Sequence, residues 1–125
     1  MNNNYIRIDD RSLEKVSGGY FGPTEHTVEV TSANYESIIR SAPTVLISAG
    51  ASWAGPSSML NPVLEELAAE NSGKAVVGIL DVDLQEQLAI KLNIRYIPTT
   101  IKYSNGVETD RQIGYQPIDA WRKIL

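Results

Sequence analysis

The feature that most constrains this chain is a short turn, Trp53-Ala54-Gly55-Pro56-Ser57-Ser58, which separates an apolar run from a helical pattern. The apolar run at residues 45–47 predicts a buried strand, and residues 59–70 repeat with helical spacing. Gly55 and Pro56 are typical of a tight turn that leads into a helix. Such a turn places side chains 54 and 57 at the positive end of the helix dipole, where an anion such as a thiolate is stabilised.

This turn resembles the active-site turn of the thioredoxin family, Trp-Cys-Gly-Pro-Cys. Three further features resemble the family in the same order: the helical run containing Pro62, the segment Asn93-Ile94-Arg95-Tyr96-Ile97-Pro98-Thr99, and Asn105-Gly106 in a predicted hairpin. The resemblance covers residues 26–125 and implies a cis Ile97–Pro98 bond that faces the turn. It also implies a groove for an extended protein client, lined by Trp53, Gly55, Pro56, Ile97 and Pro98. By itself, Pro98 is equally typical of a proline that opens a strand.

The chain departs from the family at the residues that carry the chemistry. Ala54 stands where the family has its nucleophilic cysteine, Ser57 stands at the resolving cysteine, and the chain contains no cysteine. A methyl group cannot attack a disulfide, and a hydroxyl has a far higher pKa than a thiol, so the chain as written is expected to be redox-inactive. The resemblance further places a buried acid at the position of Ser48 and aromatic residues at those of Ala49 and Gly50.

Two explanations stay open at this point. If cysteine belongs at position 54, at 57 or at both, the function class is thiol–disulfide oxidoreductase and the cysteines have been replaced. Otherwise the protein is a natural redox-inactive binding or effector protein, comparable to bacteriocin cargo, that uses the same groove without chemistry. A serine hydrolase is disfavoured because Ser57 and Ser58 have no base within the motif. Whether the protein is an enzyme is therefore not decided by its sequence.

Residues 1–19 differ in pattern from the rest of the chain and end at Gly18-Gly19. Four of the larger apolar side chains before a cut after Gly19 are spaced by three, five and three residues, which puts them on roughly one side of a helix: Val16, Leu13, Ile8 and Tyr5. Without side chains, Gly18 and Gly19 fit a narrow protease cleft in extended form.

This segment resembles a double-glycine leader, which peptidase-containing ABC transporters recognise and cut as they export bacteriocins and related polypeptides. The match rests on Ile8, Leu13, Val16, Gly18 and Gly19, and it departs from the pattern at Ser12, where the family often has Glu. The resemblance implies synthesis in the bacterial cytoplasm, removal of residues 1–19, and export to the periplasm or the medium. The alternative is an amphipathic N-terminal helix followed by a flexible linker.

Composition narrows the remaining functions. A chain of 125 residues with 42% hydrophobic and 21% charged residues is typical of one soluble domain. The net charge of −4 and the lack of a basic stripe argue against nucleic-acid binding. No apolar run reaches the length of about 18 residues that a membrane span needs. With one histidine and no cysteine, we expect neither a metal nor another cofactor.

The order of predicted elements, βαβ followed by αββα, predicts an α/β domain with a mixed central sheet and helices on both faces. The resemblance implies that this is a thioredoxin fold. We assign residues 1–19 to the leader, 20–25 to a linker and 26–125 to the domain. In the helix after the turn, the apolar periodicity predicts a buried face made of Met59, Val63, Leu64, Leu67 and Ala68.

Overall fold

The computed structural model describes residues 4–13 and 19–125, with the backbone alone for residues 11–13. The leader predictions at Val16 and Gly18 fall outside the described residues. The strands in chain order are β1 (Ile6–Arg7), β2 (Val28–Glu29), β3 (Thr44–Gly50), β4 (Ala75–Asp81), β5 (Tyr96–Ile97), β6 (Thr99–Ser104) and β7 (Val107–Ile113). The helices are α1 (Tyr35–Ile39), α2 (Gly55–Glu70), α3 (Glu86–Lys91) and α4 (Ile118–Arg122), preceded by a 3₁₀ helix at Ile8–Leu13.

The central sheet has five strands in the order β2-β4-β3-β6-β7. Strands β2 and β3 run parallel to β4, whereas β6 runs antiparallel to both β3 and β7. Strand β3 therefore lies in the middle, paired with β4 from Thr44↔Ala75 to Gly50↔Asp81 and with β6 from Thr44↔Ser104 to Ala49↔Thr99. A central strand covered on both faces is apolar along its length, which accounts for the run at residues 45–47.

Alternate side chains of β3 enter two different core clusters. The cluster on one face includes Ile47 together with Ile39 of α1 and Leu88 of α3. The cluster on the other face includes Leu46 together with Leu64 of α2 and Trp121 of α4. Because side chains alternate across a strand, this arrangement puts two helices on each face of the sheet. The predicted mixed sheet with helices on both faces is confirmed.

Helix α2 buries most of the predicted face but differs from the prediction in its first turns. Leu64, Leu67 and Ala68 are buried as expected, but the prediction for Met59 was wrong, since its side chain is 59% exposed while Leu60 is wholly buried. The buried stripe contains a polar residue, Asn61, whose Oδ1 accepts a hydrogen bond from the Gly22 N–H at 3.2 Å. Val63, also predicted to be buried, is half-buried. Apolar periodicity alone therefore put Met59 on the buried face and missed the polar Asn61.

The first described residues are extended rather than helical. Strand β1 pairs antiparallel with β5 in the register Ile6↔Ile97 and Arg7↔Tyr96, and the 3₁₀ helix begins only at Ile8. The amphipathic helix expected to bring Tyr5 and Ile8 to one side is thus absent from residues 4–7. Hydrogen bonds to β5 replace the local ones that a helix would have made.

Residues 20–25 pack against the domain, unlike the linker expected from the sequence. The Phe21 side chain is 2% exposed, and the Phe21 N–H donates to Ser52 Oγ at 2.9 Å. A Cβ atom added at Gly50 would lie 2.9 Å from the Phe21 ring, so this ring occupies the space beside Gly50. Phe21 thereby stands close to where the family resemblance places a strand aromatic.

A carboxylate on α2 holds the chain just after this segment. Glu65 accepts hydrogen bonds from the Thr24 hydroxyl, from the His26 backbone N–H at 2.8 Å, and from the His26 ring. These donors lower the pKa of Glu65 to about 2, with the Thr24 hydroxyl as the largest cause. The hydrogen bond between the His26 ring and the Glu65 carboxylate raises the pKa of His26 above its ordinary value. The segment from Phe21 to His26 is therefore attached at both ends.

We expect Phe21→Ala to lower the free energy of unfolding by about 3 kcal/mol, because removal of a fully buried ring leaves a cavity beside Gly50. The matched control is Tyr20→Ala, since Tyr20 is 55% exposed and its loss should change stability little. Urea denaturation of the full chain measures both variants. Equal, small effects of the two substitutions would mean that residues 20–25 contribute nothing to the core.

Candidate functional site

The pairing of β3 with β6 brings the turn and Pro98 to the same end of the sheet. Ala49 of β3 lies opposite Thr99, the first residue of β6, and α2 begins at Gly55. The Ile97–Pro98 peptide bond is cis, as expected. The chain thus builds the turn and the proline next to one another from residues about 45 positions apart.

Both side chains at the cysteine positions are buried. Ala54 is the N-cap residue of α2, and Ala54 and Ser57 are each 0% exposed. A Cβ atom added at Gly50 would lie 2.7 Å from Ser57 Oγ, so glycine leaves the space that this hydroxyl occupies. Among the described residues, Ser57 Oγ has no hydrogen-bond partner. A buried hydroxyl without a partner is costly, whereas a buried thiol tolerates the lack of one.

The place of the family's buried acid holds a pair of hydroxyls. Ser48 is wholly buried on β3, and its Oγ accepts a hydrogen bond from Thr100 Oγ1 at 3.0 Å. Thr100 lies opposite Ser48 in the register of β3 and β6. Neither hydroxyl readily gains or loses a proton near neutral pH, so this position offers no general acid or base.

Trp53 is held by a contact that the sequence did not reveal. Its indole Nε1–H donates to Asp83 Oδ2 at 2.9 Å, and its half-buried ring packs against the first core cluster. Asp81, at the end of β4, instead stabilises the turn that follows, since its Oδ1 accepts hydrogen bonds from the N–H groups of Asp83 and Leu84. The two partners are 30 residues apart, and no local pattern links them.

The edge of β5 that faces the predicted groove is already paired with an extended segment. Ile97 lies opposite Ile6, and the Ile8 N–H donates to the Arg95 carbonyl at 2.9 Å. Beyond β7, the Tyr115 N–H donates to the Asn4 carbonyl at 2.7 Å. Residues 4–8 thus run along the edge of the predicted groove, next to the segment that contains Pro98.

The structure places the remaining predicted residues around this edge and the turn. Gly55 is half-buried, whereas Pro56, Ile97 and Pro98 are buried. Of the leader residues, Ile8 is half-buried at the start of the 3₁₀ helix and Leu13 is its last residue. Gly19 lies against the turn, where an added Cβ atom would approach the Ser52 carbonyl oxygen to 2.7 Å.

The described residues offer no metal centre, since no three or more His, Asp or Glu side chains among residues 4–13 and 19–125 are grouped to hold an ion. Within those same ranges, no helix has the length and apolar character needed to cross a membrane.

We expect Ser57→Cys to raise the free energy of unfolding by about 1 kcal/mol, because it replaces a buried unpaired hydroxyl with a group that tolerates apolar surroundings. Ser58→Ala is the control: the Ser58 hydroxyl is half-buried and donates to the Gly55 carbonyl at 3.0 Å, so its loss should be neutral or slightly destabilising. Thermal and urea unfolding under reducing conditions measure both. If Ser57→Cys lowered the free energy of unfolding, position 57 would not suit a thiol better than a hydroxyl.

The comparisons with known proteins agree with this geometry. The family model "Thioredoxin" matches residues 26–125. A thioredoxin of Staphylococcus aureus (strain Mu50 / ATCC 700699) is 40% identical over 98 residues, which cover 78% of this chain and 93% of that protein. A solved structure of a mutant thioredoxin from Halobacterium salinarum NRC-1 has a TM-score of 0.74 at 28% identity, covering 82% of this chain and 92% of that chain. The chain therefore belongs to the thioredoxin family and has the thioredoxin fold.

Proposed function

We propose that this protein binds an extended segment of another polypeptide at the groove beside Pro98 and carries out no thiol chemistry. The proposal rests on one observation. The backbone groups of β5 and of Tyr115 already make strand-type hydrogen bonds to an extended segment, residues 4–8. Addition of a strand to an exposed edge is a general mode of peptide recognition, in which the backbone supplies affinity and alternate side chains supply specificity. Half-buried Trp53 would contribute an aromatic contact at the rim of this groove.

Three neighbouring positions support binding without catalysis. Ala54 cannot act as a nucleophile, and its side chain is wholly buried. The acid position is filled by the hydrogen-bonded hydroxyls of Ser48 and Thr100. Phe21 fills the space beside Gly50. Replacement of cysteines alone would change neither the acid position nor the packing at Gly50, so these features favour a site adapted as a whole to a function other than redox chemistry.

We further propose that residues 1–19 are a double-glycine leader, cut after Gly19 by a peptidase-containing ABC transporter that exports residues 20–125 to the periplasm or the medium. The proposal rests on the pattern of Ile8, Leu13, Val16, Gly18 and Gly19. The boundary is compatible with the structure, because the packed segment from Phe21 onward lies wholly on the exported side of the cut.

We expect Gly19→Leu to block maturation, because a branched side chain does not fit a protease cleft that accepts two glycines in extended form. Intact mass of the protein from the native host measures the outcome: the variant keeps residues 1–19, whereas the unaltered chain begins at Tyr20. Ser12→Glu, which brings the segment closer to the family pattern, is the control and should be processed normally. Unchanged maturation of Gly19→Leu would remove the leader proposal. The stability of the variant is measured in parallel, since Gly19 lies against Ser52.

A second candidate function is thiol–disulfide oxidoreductase, with cysteines replaced at 54 and 57. It is favoured by one observation, the unpaired hydroxyl of Ser57 at the start of α2, where a thiol would leave no unmet hydrogen bond. The unaltered Trp53, Gly55 and Pro56 around it are compatible with the same function.

The double variant Ala54→Cys, Ser57→Cys discriminates between the two functions. Under the binding proposal we expect it to reduce insulin at least about tenfold more slowly than a thioredoxin assayed beside it, because Ser48 supplies no acid for proton transfer. Adding Ser48→Asp tests this reason and should raise the rate. A double variant as fast as the reference thioredoxin would overturn the binding proposal in favour of the oxidoreductase.

A further inference from the structure

We propose that residues 4–8 are an internal occupant of the groove, which they fill in place of another polypeptide until the leader is removed. The inference rests on the proposed function in one respect, namely the cut after Gly19 that would release this segment. It goes beyond that function by naming what fills the groove beforehand and the kind of peptide that the groove accepts afterwards.

The backbone contacts are those of a bound peptide. Ile6 and Arg7 pair antiparallel with Ile97 and Tyr96, the Ile8 N–H donates to the Arg95 carbonyl, and the Asn4 carbonyl accepts from the Tyr115 N–H. These contacts span five consecutive residues and involve two separate parts of the domain. A segment that only lay on the surface would not be held in one register against both β5 and Tyr115.

The side chains of residues 6–8 alternate between half-buried and exposed, as expected for a strand that packs against the domain on one face. Ile6 and Ile8 are half-buried and pack against the first core cluster, whereas Arg7 is exposed and pairs with exposed Asp9 at 3.0 Å. The Tyr5 ring meets the Tyr96 ring edge to face, with ring centroids 5.2 Å apart. The groove therefore selects an extended peptide with an aromatic residue followed by aliphatic residues at alternate positions.

Gly19, the last residue of the proposed leader, lies close to the turn. A Cβ atom added at Gly19 would lie 3.1 Å from Ser58 Oγ and 2.7 Å from the Ser52 carbonyl oxygen, so the backbone here approaches the turn closely. Residues 4–8 and Gly19 thus contact the two structures that border the groove. Because both belong to one chain, the occupant is present at the high effective concentration of a tethered ligand, about millimolar.

The lack of cysteine in the chain allows a direct test by disulfide trapping. The Ile8 N–H bond to Arg95 marks residues 8 and 95 as a hydrogen-bonded pair, so by alternation Arg7 and Tyr96 form a non-hydrogen-bonded pair with Cα atoms about 4.5 Å apart. That spacing suits a disulfide. We expect full-length Arg7→Cys, Tyr96→Cys to oxidise to a monomeric cross-linked form in most molecules.

The matched control is Arg7→Cys, Arg95→Cys, in which the second cysteine is shifted by one residue to the opposite face of the strand. It should cross-link at least about tenfold less, as strand alternation requires. No cross-link in the first variant, or equal yields in both, would overturn the inference. A disulfide-linked dimer would also overturn it, because the segment would then occupy the groove of a second copy. These outcomes do not depend on processing at Gly19, so failure here is distinguishable from failure of the leader proposal.

Competition is tested with a fluorescent synthetic peptide of residues 1–10, titrated into the full chain. Ile6→Pro removes an N–H from a hydrogen-bonded pair and should free the groove, whereas Arg7→Pro alters an N–H that points away from β5 and should leave it filled. We expect the apparent Kd to be at least about tenfold lower for Ile6→Pro than for the unaltered chain. The reason is that the apparent Kd equals the intrinsic Kd divided by the fraction of molecules whose groove is open. Equal affinities for these two chains would overturn the inference, as would binding to neither.

Discussion

The hydrogen bonding of β3 on both of its edges is the constraint on which the site depends. Its pairing with β4 and β6 fixes where the strand ends, and hence where the chain must turn at residues 51–54 before α2. The same register sets Thr99 opposite Ala49. Strand pairing alone therefore places Pro98 beside the turn. The juxtaposition of the turn and Pro98 is thus a consequence of sheet topology, and the residues around it can change without loss of the fold.

The changes at this border compensate one another physically. A buried carboxylate requires partners or a shifted pKa, whereas the neutral Ser48 hydroxyl accepts a hydrogen bond from the Thr100 hydroxyl at 3.0 Å. Glycine at position 50 would leave a void beside α2, but Phe21 enters that space from outside the strand. Among the described residues, the buried Ser57 Oγ has no hydrogen-bond partner, and Ser57 is therefore the position at which the two candidate functions differ most clearly.

Sequence patterns predicted the parts of the structure that depend on local periodicity or on a family pattern. The central strands, the start of α2 at the turn and the hairpin of β6 and β7 each have such a signal, and each is present. Strands β1 and β5 have two residues apiece, too short for any periodicity, and their pairing joins segments about 90 positions apart. The partnership of Trp53 with Asp83 and the placement of Phe21 likewise depend on tertiary packing, which one sequence does not reveal.

The position of the proposed cut separates two segments that have opposite requirements. Residues 4–8 make only a few strand-type bonds, which suffice while the segment is tethered but become weak when it must bind as a free peptide. Phe21, two residues after the cut, is buried and hydrogen-bonded to Ser52, so the part that completes the core stays with the domain. One cleavage after Gly19 would therefore open the groove and leave the fold intact. Within this scheme the leader needs no high affinity of its own, because loss of the tether is enough to release it.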